Sequence, residues 1–159
     1  SDLMAESEAW EREYAIRMDS PTNYYQEWAN LAASEVGSDK YSLEWFRDIS
    51  IQVEGLIDYL KIMYSRPRPY QLAPLLGKNI EMLVTDPQTS AYPSGHAIDS
   101  WVFAYVLSRL HPRCSESFER LAQAISDTRI VAGVHYPSDI EAGRRVAEFI
   151  VNNDLVSAP

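Results

Sequence analysis

The sequence has one cysteine, few basic residues and no long apolar run, and each shortage excludes a class of protein. Cys114 is the only cysteine among 159 residues. An intrachain disulfide framework and a multi-cysteine metal site are therefore excluded. The 14 basic residues are outnumbered by 23 acidic ones, which gives a formal charge of −9. This balance argues against a protein that holds nucleic acid through a broad basic surface.

Apolar runs are too short for a membrane span, which needs roughly 18–20 apolar residues. The longest clean run is Trp101–Leu107, which suits a buried helix. The N-terminal segment SDLMAESEAWERE is acidic and does not resemble a signal peptide. Because a signal can be removed earlier, the compartment stays open. It would be the periplasm or the exterior if a signal was removed, and the cytoplasm otherwise.

What the sequence does contain is helical periodicity, with no strand period and no repeat. Apolar residues recur every three or four positions, and caps or prolines separate the periodic stretches. Helices are predicted at about Ala5–Met18, Pro21–Gly37, Ser42–Ser65, Pro93–His111, Ser115–Gly133 and Asp139–Asn152. The connection at 70–92 has room for a short helix at Leu72–Leu76 or Ile80–Val84. We expect one all-α domain over residues 1–159, a bundle of about six to seven helices.

Several cations stand out in this acidic chain. A positive pocket in a negative protein indicates a small anionic ligand rather than a polyanion. The cations concerned are Lys61, Arg66, Arg68 and Arg129. Arg129 shares a helical side with Leu121 and Ile125, so its guanidinium should point toward the core. An arginine there needs an anion or several acceptors.

Taken singly, these residues also have ordinary interpretations. Pro93–His96 is a common turn and helix start, although free N–H groups at a helix N-terminus also bind anions. Lysines and arginines are mostly solvated. His135 alone fits a structural histidine, and Asp139 alone fits an acid favoured in the first turn of a helix.

Together, three stretches resemble the signature of the type 2 phosphatidic acid phosphatase superfamily, which includes bacterial class A acid phosphatases and vanadium-dependent haloperoxidases. The stretches, in the family's order, are Lys61-x6-Arg68-Pro69, Pro93-Ser94-Gly95-His96 and Thr128-Arg129-x5-His135-x3-Asp139. The one departure is Thr128, where the family usually has serine and where either residue supplies a hydroxyl. The continuation Gly133–Arg144 looks most like the soluble acid phosphatases.

The resemblance implies a role for each matched residue. His135 would be the nucleophile that forms a phosphohistidine, and Asp139 would fix its other ring nitrogen. His96 would be the general acid and then the base that activates water. The phosphoryl oxygens would be held by Lys61, Arg68, Ser94, Gly95 and Arg129. Because the cations take the place of a metal, neither a metal nor another cofactor is expected.

The implied activity is that of a soluble phosphoric ester hydrolase acting on a small phosphomonoester or phosphoanhydride. The alternative is a vanadate-dependent haloperoxidase, in which vanadate would be a cofactor, but those enzymes are typically much larger. His135 must be neutral while His96 must begin protonated, which predicts a bell-shaped pH profile on the acid side. Residues 1–60 and 70–92 would select the leaving group.

The remaining expectations concern partners and residues outside the signature. No nucleic-acid partner and no membrane span are expected. Because relatives in the resembling family often self-associate, candidates for contacts between copies are Trp10, Trp28 and Trp45. Arg66 is not a fixed position of the signature and is expected in solvent or at the pocket mouth. His111 is expected to be structural, and Tyr136 is a candidate for the pocket wall.

Overall fold

Seven α-helices make up most of the chain. The computed structural model describes residues 2–159, with side chains from residue 4 onward. The helices are α1 Asp2–Arg17, α2 Pro21–Val36, α3 Leu43–Tyr64, α4 Pro69–Leu72, α5 Gly95–Leu110, α6 Ser115–Val131 and α7 Pro137–Asn152. Residues 2–159 contain no strand. The prediction of an all-α fold with six to seven helices is confirmed, since six helices are long and α4 has one turn.

Local sequence explains most helix boundaries. Ser42 and Ser94 cap α3 and α5, where their hydroxyl oxygens accept hydrogen bonds from the backbone N–H groups of Trp45 and Ala97. Gly37 ends α2 with a φ of 72°, a left-handed conformation that glycine adopts without steric penalty. These caps lie where the sequence predicts them.

The start of α7 differs from the prediction by two residues. A capping box beginning at Ser138 predicts a start near Asp139, but α7 begins at Pro137. The fixed φ of proline suits the first helical position. The Asp139 carboxylate then caps the helix, because its Oδ2 accepts from the Tyr136 N–H at 2.8 Å. Asp139 is therefore turned inward, toward the residue that precedes the helix.

The centre of the bundle is α5. Most of α5 between Ala97 and Leu107 is buried, and it packs against α3, α6 and α7. In α3 the buried apolar residues lie in the first half, namely Trp45, Phe46, Ile49 and Val53. The second half exposes Ile62, Met63 and Tyr64. Periodicity alone does not distinguish a helix that is buried along its length from one that is buried at one end.

Tryptophan burial corrects one expectation about contacts between copies. Trp28 is fully buried among Phe46, Phe103 and Phe118, with ring centroids 5.8 to 6.5 Å away. Trp45 is also buried. Neither can contact another copy, whereas Trp10 is exposed and stays a candidate.

Among the described helices, none is long and apolar enough to cross a membrane.

The connection between α4 and α5 is mostly irregular but anchored. A 3-10 helix at Ala73–Leu76 matches one of the two predicted short helices, and Ile80–Val84 is not helical. Gly133, with a φ of 79°, lets this segment approach closely, since a Cβ there would lie 2.4 Å from the Glu81 carbonyl oxygen. Further along, the Ala91 N–H donates to the Arg66 carbonyl at 2.8 Å.

Candidate active site

His135 and Asp139 form a buried pair at the start of α7. His135 lies just before the helix, and Asp139 lies in its first turn. His135 Nδ1 is 3.1 Å from Asp139 Oδ2. Because a carboxylate only accepts hydrogen bonds, Nδ1 carries the proton and Nε2 keeps its lone pair. Asp139 is completely buried and His135 nearly so, which makes this pair sensitive to every neighbouring charge.

Arg66 donates to the second oxygen of the Asp139 carboxylate. Its Nη1 lies 2.7 Å from Asp139 Oδ1 and 2.7 Å from Ser138 Oγ. The expectation of a solvated Arg66 is therefore wrong. A signal for this position was present in the sequence, because a residue that precedes a proline, as Arg66 precedes Pro67, favours an extended conformation. In an extended chain, residues two apart point the same way, so Arg66 shares its side with Arg68.

Arg68 and Lys61 bring positive charge to the other face of His135. Arg68 Nη1 lies 2.9 Å from His135 Nε2 and also donates to the Val134 carbonyl oxygen. Its Nε and Nη2 donate to Thr89, and Lys61 Nζ donates to the Ser90 carbonyl oxygen at 2.8 Å. Burial, followed by the charge of Arg68, lowers the pKa of Lys61 to about 8. A bound anion would stabilise both cations.

The start of α5 lies against this cluster. The Ser94 N–H donates to the Asp139 carbonyl oxygen at 3.1 Å. A Cβ on Gly95 would lie 4.0 Å from Lys61 Cε. The approach of α7 depends on Gly143, where a Cβ would lie only 2.8 Å from Ala97 Cβ and 3.0 Å from the Ser94 carbonyl oxygen. Gly143 thus permits close packing of the two helix starts.

His96 and Arg129 are held by the segment between α1 and α2. Arg129 is buried and donates to Asp19 Oδ1 at 2.9 Å, to the Ala15 carbonyl oxygen at 2.8 Å and to Thr128 Oγ1 at 3.1 Å. His96 Nε2 lies 3.0 Å from the Asp19 carbonyl oxygen and 3.1 Å from that of Met18. This ring nitrogen therefore carries a proton. Sequence reasoning missed Asp19, for which no spacing or motif gave a signal.

The two imidazoles share a lowered basicity. Burial lowers the pKa of His135 to about 4, with Arg68 and Lys61 adding to the effect and the Asp139 hydrogen bond opposing it. Burial also lowers the pKa of His96 well below its ordinary value, followed by the charge of Arg129. Both rings are consequently neutral at neutral pH when no anion is bound.

The eight residues singled out in the sequence fall into two groups. The nucleophile group consists of His135, Asp139, Lys61, Arg68, Ser94 and Gly95. The acid group consists of His96 and Arg129. The groups are close enough for the charge of His135 to act on His96 and that of Arg129 on Arg68. In the part of the chain that the structure describes, no side-chain hydrogen bond joins them directly.

Comparison with known protein families identifies the family to which this arrangement of residues belongs. The model of the PAP2 superfamily matches residues 49–152, more than half of the chain. The chain belongs to the PAP2 superfamily. The resemblance seen in the three signature stretches is thereby confirmed, and the matched region contains both groups of residues. The roles of the individual residues remain predictions.

Two curated PAP2 relatives are non-specific acid phosphatases. The chain is 30% identical to that of Providencia stuartii over 87 residues, which cover 55% of this chain and 35% of the relative. It is 34% identical to that of Salmonella typhi over 86 residues, which cover 54% and 34%. The match thus spans about a third of the length of these relatives.

A solved structure shows the same fold. It is the crystal structure of the first transmembrane PAP2 type phosphatidylglycerolphosphate phosphatase from Bacillus subtilis. The TM-score is 0.51, and the superposition covers 97% of this chain and 87% of that one at 17% sequence identity. At this identity the likeness concerns the helical fold alone.

Proposed function

We propose that this PAP2 protein is a phosphatase that hydrolyses phosphomonoesters or phosphoanhydrides through a phosphohistidine on His135. The observation that carries the proposal is the tautomer of His135, whose Nδ1 is held by Asp139 so that Nε2 keeps its lone pair. Membership of the PAP2 superfamily and the acid phosphatases among the relatives support the reaction class.

In the first step, Nε2 of His135 attacks phosphorus, the N–P bond forms and the bond to the leaving oxygen breaks. Asp139 keeps the Nδ1 proton in place and balances the positive charge that develops on the ring. His96 gives a proton to the leaving oxygen. The non-bridging oxygens accept hydrogen bonds from Lys61, Arg68 and Arg129, which stabilises the charge in the transition state.

Substrate binding would change the partners of these cations. The Arg68 N–H that now lies 2.9 Å from His135 Nε2 would turn to a phosphoryl oxygen, which frees the lone pair for attack. The negative charge of the phosphate would raise the pKa of His96 against the effects of burial and Arg129. His96 could then begin the reaction protonated while His135 begins it neutral.

In the second step, His96 has lost its proton and acts as the base. It takes a proton from water, whose oxygen attacks phosphorus and breaks the N–P bond. The lone pair returns to His135 Nε2 and inorganic phosphate leaves. The two steps restore both histidines, so the cycle needs no outside reductant or oxidant. The opposed requirements of His135 and His96 give a bell-shaped pH profile on the acid side.

Space for a leaving group lies beside Lys61. A cavity of about 480 Å³ is lined by Asp58, Lys61, Ile62, Ser65 and residues 88–90. This volume exceeds the needs of a phosphate ion alone and is within the usual range for small-molecule pockets. Residues 88–90 belong to the 70–92 connection, which supports a role of that segment in selecting the substrate.

The proposal also includes a soluble state and independence from metal ions. The formal charge of −9 supports solubility, and the three cations supply the positive charge that a metal would otherwise provide. Activity that remains in the supernatant after ultracentrifugation and survives a chelator is the expected result. Activity that is lost with chelator and restored by a divalent ion would contradict metal independence.

The test of the proposed function is hydrolysis of an aryl phosphate by His135→Ala. We expect a loss of about 10⁴-fold or more in kcat, because the nucleophile is removed. His111→Ala is the matched control, since His111 contacts Tyr41 at 2.6 Å and lies outside both groups. Hydrolysis by His135→Ala at the rate of this control would show the proposal to be wrong.

A further inference from the structure

We propose that Arg66 is a positioning residue that holds Asp139 and, through Asp139, the orientation of the His135 ring. The inference rests on the proposed function and deepens it, because Arg66 occupies an unspecified position of the first signature stretch and the resemblance implies no role for it. It is drawn from the contacts of one buried carboxylate.

Asp139 needs a donor on each of its oxygens. The carboxylate is completely buried, and a buried charge without a partner is strongly unfavourable. Oδ2 accepts from His135 Nδ1 and from the Tyr136 N–H. Oδ1 accepts from Arg66 Nη1 at 2.7 Å. Within the described residues, Arg66 is the only cationic side chain that hydrogen-bonds to Asp139.

The Arg66 side chain is itself held in place. Its Nη1 also donates to Ser138 Oγ at 2.7 Å. The guanidinium carbon lies 4.4 Å from the centre of the Tyr92 ring and 5.7 Å from that of the Tyr136 ring, within the range of cation–π attraction. Its backbone carbonyl accepts from the Ala91 N–H. A guanidinium restrained on several sides keeps its Nη1 in place against Asp139 Oδ1.

Charges from several elements face His135. They are Lys61 on α3, Arg68 before α4, His96 on α5 and Asp139 on α7. Asp139 favours the protonated imidazole, while Lys61 and Arg68 oppose it. Arg66 shares the negative charge of Asp139. Without Arg66, the Asp139 carboxylate would no longer be partly neutralised by a guanidinium. Its full negative charge would then raise the pKa of the His135 imidazole. The carboxylate would also be free to rotate away from Nδ1.

The experiment measures kcat and KM for an aryl phosphate across pH in Arg66→Ala and Arg66→Lys. We expect Arg66→Ala to lower kcat about 10²-fold, to change KM little and to move the acid limb of the profile to higher pH. Arg66→Lys keeps the charge, so it should restore the position of the limb. It should restore only part of kcat, since an ammonium cannot stack on the Tyr92 ring as the planar guanidinium does.

Arg144→Ala is the matched control. The Arg144 guanidinium carbon also lies 4.4 Å from an aromatic ring, that of Trp101, and its Nε donates to Tyr105 Oη at 3.1 Å. It contacts neither group of site residues. The control should leave both kcat and the pH limb unchanged. If Arg66→Ala matches Arg144→Ala while His135→Ala is inactive, the positioning role is wrong and the proposed function survives. Activity retained by His135→Ala would overturn both.

A double-mutant cycle separates positioning from a general effect on folding. In an Asp139→Asn background, Arg66→Ala should have no further effect on kcat, because its partner is gone. An equal loss in both backgrounds would overturn the proposal. Should Arg66→Ala fail to fold, nitrogen NMR of His135 in Arg66→Gln replaces it. A raised pKa of the imidazole, or loss of the proton from Nδ1, supports the positioning role, and a tautomer and pKa that both match wild type contradict it.

Discussion

The nucleophile group and the acid group obtain their partners from different distances along the chain. His135 is paired with a residue four positions later, on the same helix start. Arg129 is paired with Asp19, which is 110 positions earlier, and His96 with carbonyl groups beside it. A short spacing fixes the nucleophile pair, whereas the acid group depends on how the α1–α2 segment packs. The first arrangement is local and the second is tertiary.

The two groups also differ in what a phosphate would have to displace. In the nucleophile group, His135 is already neutral with its tautomer fixed, and a phosphate would only have to draw the Arg68 N–H away from Nε2. In the acid group, the Asp19 carboxylate forms an ion pair with Arg129, and burial keeps His96 neutral. A bound phosphate would replace Asp19 as the partner of Arg129 and would raise the pKa of His96. The difference indicates a nucleophile arranged before binding and an acid completed by the substrate.

The largest effect should come from changing the tautomer of the nucleophile. Asp139→Asn presents an amide that can donate to Nδ1, which moves the imidazole proton to Nε2 and blocks attack. We expect kcat to fall by about 10⁴-fold with little loss of fold. Steady-state kinetics with an aryl phosphate, together with a circular dichroism spectrum, measures both. A fall of less than tenfold would mean that Asp139 does not set the tautomer.

A smaller effect, dependent on the leaving group, should follow from His96→Ala. For an alkyl phosphate, whose leaving oxygen needs a proton, we expect kcat/KM, which reports the first step, to fall by about 10²–10³-fold. For a nitrophenyl phosphate, whose leaving group departs as an anion, the loss in kcat/KM should be much smaller, although kcat falls because the second step lacks its base. Equal losses in kcat/KM with the two substrates would remove His96 from the role of general acid.

Helix α5, which carries His96, also carries the buried carboxyl of Asp99, and this carboxyl should make the stability of the protein depend on pH. Burial raises the pKa of Asp99 to about 6 from 3.8, against hydrogen bonds from Tyr24 and Ser50. A raised folded-state pKa stabilises the protein fully below about pH 4, and this stabilisation is lost as pH rises through 6. The difference is worth roughly 3 kcal/mol.

Asp99→Asn tests this pH dependence, because the substitution removes the titration. Urea unfolding of wild type and variant between about pH 4 and 8 should show the difference in unfolding free energy moving in favour of the variant as pH rises. Comparing the two proteins cancels the contributions of His96 and His135, which titrate in both. A difference that does not vary with pH would show that Asp99 does not titrate in this range.

The smallest effect should come from Asp19→Asn, which removes the internal anion from Arg129. The Asp19 side chain is 40% exposed, so solvent weakens the pair and its free energy is small. We expect KM and the inhibition constant for inorganic phosphate to fall by about fivefold. Asp19→Glu is the matched control, since it keeps the charge. Weaker phosphate binding in Asp19→Asn would show that Asp19 organises Arg129 rather than competing for it.

Local rules predicted most of the fold. Ser42, Ser94 and Gly37 mark helix ends because capping involves residues only a few positions apart. The signature stretches likewise identified residues that the fold gathers in one region. The start of α7 was placed too late, because the proline rule and the Asp139 cap outweighed a capping box that did not form.

Contacts between distant residues were beyond local rules. Arg66 meets Asp139 across 73 positions, and Asp19 meets Arg129 across 110. Their identity depends on which faces α1, α3, α6 and α7 present after packing. The exposure of Ile62, Met63 and Tyr64 at the end of α3 has the same cause, since helical periodicity does not show which residues the other helices will cover. Alternation around Pro67 was the one usable signal for Arg66.

The most direct test of the account is to trap the phosphorylated enzyme. His96→Ala, mixed with nitrophenyl phosphate and quenched in alkali, should form the phosphohistidine rapidly and hydrolyse it slowly, since the base for the second step is missing. Peptide mass spectrometry should then find one phosphoryl group, on His135, and none in the His96→Ala, His135→Ala double variant. A phosphoryl group on another residue, or a nitrophenol burst with no phosphorylated enzyme, would contradict the account.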